Sequence, residues 1–171
     1  MQIRTGGPAD LPATLALLDG AVAWLTARGH TGQWGTEPWS SRPAAVERTR
    51  RYAEAYLLRA AEVDGEVAGV CVLAGEPPES VPPAGEPELY IRLLVTDRAR
   101  SGSGIGAALV DDAVAEARRR GVSLLRVDCY AGSDGRLVRR YEALGFTRAE
   151  RFAVPRDGGE PWPGQVLQRR V

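Results

Sequence analysis

Residues Leu89 to Gly121 constrain this chain more than any other stretch. Leu89–Val95 reads Leu-Tyr-Ile-Arg-Leu-Leu-Val, mostly apolar and branched, which suits a strand covered on both faces. The charged Asp97–Arg100 breaks the run, and Ser101–Gly106 then places glycines at 102, 104 and 106. Glycine has no side chain to hold an anion off the backbone, and it tolerates φ > 0. From Ile105 an apolar arc recurs at helical spacing through Leu109, Ala113 and Ala117, flanked by Val110 and Val114. Asp111, Asp112, Glu116, Arg118 and Arg119 fall on the opposite side, and Gly121 stands where a helix end wants a left-handed residue. A strand therefore runs into a glycine turn that opens a helix. Free N–H groups and the positive end of the helix dipole meet there, an arrangement suited to phosphate.

Such a turn is often only a turn. A dinucleotide fold would place Gly-x-Gly-x-x-Gly early, with an acid about 20 residues on. Here the spacing is Gly-x-Gly-x-Gly and it comes late. A Walker loop needs Gly-Lys-Ser/Thr, and the chain contains no Lys.

Leu93-Leu94-Val95 followed by Ser101-Gly102-Ser103-Gly104-Ile105-Gly106-Ala107 resembles the acetyl-CoA motif of the GNAT N-acetyltransferases, Arg/Gln-x-x-Gly-x-Gly/Ala. Tyr141-Glu142-Ala143-Leu144-Gly145-Phe146 resembles that family's second signature, Tyr-Glu-x-Leu-Gly-Phe. The two occur in the family's order, and the likeness spans Leu57 to Phe152. One departure is Ser101, where the family has Arg or Gln; Arg98 or Arg100 would then supply the charge. The resemblance implies acetyl-CoA as co-substrate, with Leu94 and Val95 offering backbone to the thioester. Arg100, Ser101, Gly102, Ser103, Gly104, Ile105, Gly106 and Ala107 would hold the diphosphate. Asp134 stands where the family has an Asn that bonds the CoA arm, and an ionised Asp offers only acceptors.

At 171 residues the chain suits one domain, residues 1–171. Hydrophobic residues make up 44% and charged residues 26%, ordinary for a globule. Lys+Arg and Asp+Glu are both 22, so charge argues for neither nucleic acid nor membrane as partner. No apolar run approaches a bilayer span and no signal peptide is evident, so a cytoplasmic location is expected. Cys71 and Cys129 lie in predicted strands and read as free, buried thiols. His30 is the only histidine, so neither a Cys–His catalytic pair nor a metal site is expected.

In chain order the pattern predicts a strand at Met1–Arg4, helices at Pro8–Arg28 and Arg42–Glu54, and strands at Tyr56–Val63 and Glu66–Ala74. Asp64-Gly65 between the last two signals a type I′ hairpin. The proline-rich Gly75–Pro87 must be a loop. After the central strand, turn and helix come a strand at Val122–Tyr130, a helix capped by Ser133, and strands at Phe146–Val154 and Gln165–Arg170. The fold class is α/β (α+β): a three-layer, GNAT-like arrangement with a mixed, mostly antiparallel sheet and helices on both faces.

The family reaction is direct attack of an amine on the thioester, with no acyl-enzyme. It needs a polarised carbonyl, a neutral amine and a protonated leaving thiolate. Tyr141 matches the family's proton donor, since a phenol with ordinary pKa about 10 keeps its proton at neutral pH; its alternative is core packing against Leu137 and Leu144. Glu88, or Glu86, is the candidate base at the start of the central strand, and one residue of register decides its direction. Arg92 would pair with a carboxylate of the enzyme or of the substrate. Trp24, Trp34 and Trp39 with Glu37 lie where the family builds its acceptor pocket, and would suit a cationic amine. The acceptor is then a primary amine of a small molecule or peptide, and a homodimer is within what the family implies. A CoA-binding module without catalysis is the alternative.

Overall fold

The computed structural model describes all residues, Met1–Val171. Seven strands form one sheet in the order β1-β2-β3-β4-β5-β7-β6. Their contacts concentrate in two compact units, residues 1–73 with 93–112, and residues 74–92 with 113–171.

The first unit opens with β1 (Gln2–Thr5), a single 3-10 turn at Pro8–Asp10, and α1 (Leu11–Thr26). Pro12 lies in the first turn of α1, where its missing N–H costs nothing. Next come α2 (Pro43–Ala55), β2 (Leu57–Val63) and β3 (Glu66–Ala74). β1 and β3 both pair antiparallel with β2. The β2–β3 turn has positive φ at Asp64 (54°) and Gly65 (81°), as a type I′ turn requires.

Alternation along β2 and β3 divides the unit into layers. Leu58, Ala60, Val70 and Val72 pack with Leu18, Ala21, Val22, Trp39, Ala45 and Ala53 of the α1–α2 side. The intervening residues meet the start of α3 (Ile105–Arg119) on the other side. Arg59 forms a paired ion contact with Asp112, at 2.7 and 2.9 Å. Gly69 lies so close under α3 that a Cβ there would stand 2.7 Å from Ile105 Cγ2. Helices thus cover both sheet faces.

The second unit contains the start of β4 (Leu89–Thr96), then β5 (Leu124–Tyr130), α4 (Arg136–Ala143), β6 (Thr147–Val154) and β7 (Trp162–Arg170). β7 pairs antiparallel with both β5 and β6. The parallel β4–β5 ladder covers only Leu89↔Leu125, Tyr90↔Arg126 and Ile91↔Val127. β5, by contrast, stays paired to β7 as far as Tyr130↔Gly164. On one face Tyr90, Val81 and Val166 form a small core that anchors the proline-rich segment. α4 packs against β5, β6 and β7.

The helix before β6 differs from expectation at its start. Ser133 has φ 58° and caps nothing; Asp134 Oδ1 accepts the Arg136 N–H at 3.0 Å instead. β7 begins three residues before the expected Gln165, with Pro163 at the strand's start, where the missing N–H is tolerated. No helix is long and apolar enough to cross a membrane.

Candidate active site

The glycine turn between β4 and α3 is built as its spacing predicts. Gly102 and Gly104 have φ of 87° and 83°, a region closed to most side chains. A Cβ at either would meet nothing within 4 Å, so backbone conformation rather than crowding demands glycine there. Ser101–Gly104 is exposed, and a hollow of about 460 Å³ beside it is lined by Val63, Arg100, Ser101, Gly102, Ser103 and Ile105.

The turn uses some of its amides internally. Ser101 N–H donates to the Arg98 carbonyl at 3.3 Å, and Ser103 N–H to the Arg100 carbonyl at 3.2 Å. The Gly104 carbonyl accepts the first helical bond, from Ala108 N–H, at 3.0 Å. The amides of Gly102, Gly104, Ile105, Gly106 and Ala107 make no bond within the turn and stand at the positive end of α3. A diphosphate fits this donor set. Ser101 and Ser103, expected among the diphosphate donors, keep their amides for the turn's shape.

The Arg100 guanidinium lies 3.2 Å from Glu66, 3.4 Å from Asp97 and 3.5 Å from Asp64, carboxylates with which a bound phosphate would compete. Asp134 stands just before α4, where the Arg136 amide and guanidinium hold its carboxyl below the usual range. Leu94 is partly buried on β4, while Val95 is buried in the α1–α2 core.

Tyr141 stands at the end of α4, where the second signature has a physical meaning. Phe146 N–H donates to the Tyr141 carbonyl at 3.2 Å and Gly145 N–H to the Glu142 carbonyl at 3.0 Å. Gly145 has φ 86°. The Phe146 ring meets the Tyr141 ring edge-on, with centroids 5.7 Å apart. Two reversed bonds, a left-handed glycine and a closing apolar contact are a complete Schellman stop. The signature fixes the tyrosine ring in place.

Charged groups line one face of β4 and β5. Glu88, the expected base, is 7% exposed; one of its oxygens lies 2.9 Å from Arg126 Nη1, and the other accepts the Ala84 N–H at 3.1 Å. Arg126 also contacts Glu150 and the Pro82 carbonyl. Glu88, expected as the base, is thus paired with Arg126. Glu86 pairs with Arg170 at the surface. Asp128 was missed. Its Oδ1 accepts the Tyr90 hydroxyl at 2.8 Å, and burial pushes its carboxyl above the usual range, against the pull of Tyr90, Arg92 and Arg126. The signal that would have found it is the pair of charges at Arg126 and Asp128, two residues apart in an apolar strand. Arg92 donates to the Glu76 carbonyl at 3.3 Å.

Between α1 and α2, Trp34 packs edge-on against Trp39 with centroids 5.3 Å apart, and Trp39 Nε1 donates to Thr49 Oγ1 at 3.1 Å. Glu37 is exposed. Arginines lie over two of the tryptophans: Arg42 and Arg48 are 4.5 and 5.1 Å from the Trp39 centroid, and Arg28 and Arg98 are 4.1 and 5.2 Å from that of Trp24. No cluster of His, Cys, Asp and Glu side chains could hold a metal ion.

The model of the acetyltransferase (GNAT) family matches residues 20–146, which include both signatures. This chain belongs to the GNAT acetyltransferase family. As a family member it is an acyl-CoA-dependent acetyltransferase with acetyl-CoA as co-substrate. Solved GNAT structures share its fold over nearly the whole chain. A ribosomal-protein-alanine N-acetyltransferase from Brucella melitensis is 24% identical, with TM-score 0.68 and 100% of both chains covered. A GCN5-related N-acetyltransferase from Rhodopseudomonas palustris is 21% identical, with TM-score 0.74, covering 99% of this chain and 95% of its own. A putative acetyltransferase from Salmonella typhimurium, solved with its cofactor acetyl-CoA, is 22% identical, with TM-score 0.66 and coverages of 99% and 93%. Comparison with curated proteins finds no match.

Proposed function

We propose that this GNAT acetyltransferase, acting as one catalytic domain, moves an acetyl group from acetyl-CoA to a primary amine of a small molecule or peptide by direct attack. The observation that carries the reading is the open glycine turn. Its amides at Gly102, Gly104, Ile105 and Gly106 are left over by the turn's own hydrogen bonding, and Ser101–Gly104 is exposed beside a hollow.

In this reading a backbone N–H at Leu94 or Val95 polarises the thioester carbonyl. Asp128 takes the base role first sought at Glu88, because its carboxyl is raised by burial and bonded to Tyr90 rather than locked to an arginine. It accepts a proton from the incoming ammonium. As the C–N bond forms and the C–S bond breaks, Tyr141 gives its phenolic proton to the departing sulfur. The second proton of the attacking nitrogen then passes through water to the Tyr141 phenolate, and Asp128 releases its proton to solvent. The products are an N-acetylated amine and the CoA thiol.

A CoA-binding module without catalysis is the second reading; it keeps the same glycine turn and differs only in turnover. Calorimetry with acetyl-CoA, run beside thiol release over a library of amines, separates the two. Binding with turnover supports the transferase; binding without turnover supports the module; no binding at millimolar acetyl-CoA removes both. Tyr141→Phe is expected to lower kcat by about 10²-fold or more with little change in acetyl-CoA affinity. Unchanged turnover would remove Tyr141 from the chemistry.

A further inference from the structure

Strand alternation gathers one set of the second unit's side chains on a common sheet face. Asp128 stands opposite Val166 and Tyr130 opposite Gly164, while Phe152 meets Gly164 from the strand beyond. α4 lies against the alternate set: Arg148 and Arg169, opposite Leu167 and Leu125, reach Glu142 and the Leu144 carbonyl at 2.7 and 2.9 Å. On the Asp128 face the proline-rich segment packs through Val81 on Tyr90 and Val166. Beyond that contact the face is aromatic. The Trp162 ring lies between those of Tyr130 and Phe152, tilted to both, with centroids 5.6 and 6.0 Å away. All three rings are partly exposed, whereas Tyr90 and Val166 are sealed.

Two glycines make this surface. A Cβ at Gly132 would overlap the Tyr130 ring, and one at Gly164 would overlap the Phe152 ring. Neither glycine has a positive φ, so the close approach of the rings, not the backbone, requires them. Each ring fills the place of the side chain that its glycine lacks. The surface also begins at the proposed base. The parallel β4–β5 ladder ends at Ile91↔Val127, so Asp128 and Tyr130 lie past its last rung. Two residues along a strand span about 7 Å, the reach of an aryl group joined to nitrogen by a short carbon chain. A flat apolar group covers such rings and gains aromatic contact beyond its area, whereas a polar acceptor gains nothing from them.

We infer that the acceptor is an arylalkylamine: its ammonium meets Asp128, and its ring lies on Tyr130, Phe152 and Trp162. The inference rests on the transferase reading above, with Asp128 as base. A second copy of the chain is the other occupant for a surface of this kind, and the test separates the two.

2-Phenylethylamine and ethylamine differ by the ring alone and serve as paired acceptors. The wild-type enzyme is expected to favour the aryl amine by about tenfold or more in kcat/KM, expressed in KM, as burial of a ring implies. Trp162→Leu is expected to remove most of that preference, Trp162→Phe to restore part of it, and Phe152→Leu to lower it severalfold. All three should bind acetyl-CoA as the wild type does. Equal use of the two amines by the wild type, or a full preference in Trp162→Leu, overturns the inference. If Trp162→Leu does not fold, an undiminished preference in Phe152→Leu overturns it. A wild-type dimer that dissociates in Trp162→Leu, read by sedimentation, assigns the face to a second copy and also overturns it. Should acetyl-CoA bind but no amine react, the transferase reading fails separately. The aryl site is then read from the Trp162 indole N–H resonance as 2-phenylethylamine is titrated into the CoA complex. A shift that ethylamine does not produce supports the site, and an unmoved resonance overturns it.

Discussion

Asp128 and Arg126 sit two residues apart on one face of β5, yet their surroundings set them opposite tasks. Arg126 is 1% exposed and bound on both sides by carboxylates, which suits structure. Replacing it with Leu strands Glu88 as a buried charge, and the expected loss is about 3–5 kcal/mol by denaturant unfolding. Adding Glu88→Leu should recover most of that. Recovery of none would mean that the pair is not the source of the loss. Asp128 is half-buried with one phenol partner, which suits proton transfer. Asp128→Asn is expected to lower kcat by about 10²-fold or more. Burial disfavours its ionised form, so the base builds up only above a raised pKa, and kcat/KM should rise with pH through that value. The Tyr90 hydrogen bond opposes the raise. Tyr90→Phe should therefore move the rising limb to still higher pH, and a shift to lower pH would exclude Asp128 as the base. None of this was visible in the sequence beyond the two charges. Which way a strand residue points depends on register, and register at β4 is set by pairing far along the chain.

At the scale of elements much more was legible, because the signals are local. Gly145 and the apolar arc from Ile105 to Ala117 each declare a conformation through residues a few positions apart, and every apolar residue of that arc is buried. The glycine turn was readable for the same reason. What it does with its own amides was not, since Ser101 and Ser103 bond inward through a geometry that spacing alone does not set. The turn also depends on a residue outside it. Gly69 on β3 gives α3 its seat: an added Cβ would stand 2.7 Å from Ile105 Cγ2 and 3.0 Å from Leu109 Cδ1. Neither neighbour is the free end of a long flexible chain, so α3 must shift at its first turn, where the amides proposed to hold the diphosphate are fixed. Gly69→Ala is expected to cost about 1–3 kcal/mol in stability and to weaken acetyl-CoA binding severalfold. Ile105→Ala in the same chain should return part of the affinity. Unaltered affinity in Gly69→Ala would show that the turn holds its shape without this contact.

Across the whole molecule the charges are balanced, 22 against 22, and every strong base is Arg. Arginine keeps its charge beyond pH 12, so alkali removes no cation over the range where lysines would titrate. What alkali does reach is the pair of buried thiols. Burial pushes Cys129 up to about 12 from an ordinary 9.0, and Cys71 higher still. The unfolded chain therefore loses these protons first. The stability they contribute is complete below pH 9, and it drains away as pH rises toward the folded values. On the acid side the sign reverses. Asp10 is held below its ordinary 3.8 chiefly by the Arg4 guanidinium 2.7 Å away, so its contribution is present above that value and is lost as pH falls toward the folded one. A plateau in denaturation midpoint between about pH 5 and pH 9 follows. Replacing both cysteines with Ala should flatten the alkaline slope while leaving the acid one, and Asp10→Asn should do the converse. An alkaline slope unchanged without the thiols would assign it instead to Tyr90, whose hydroxyl burial also raises.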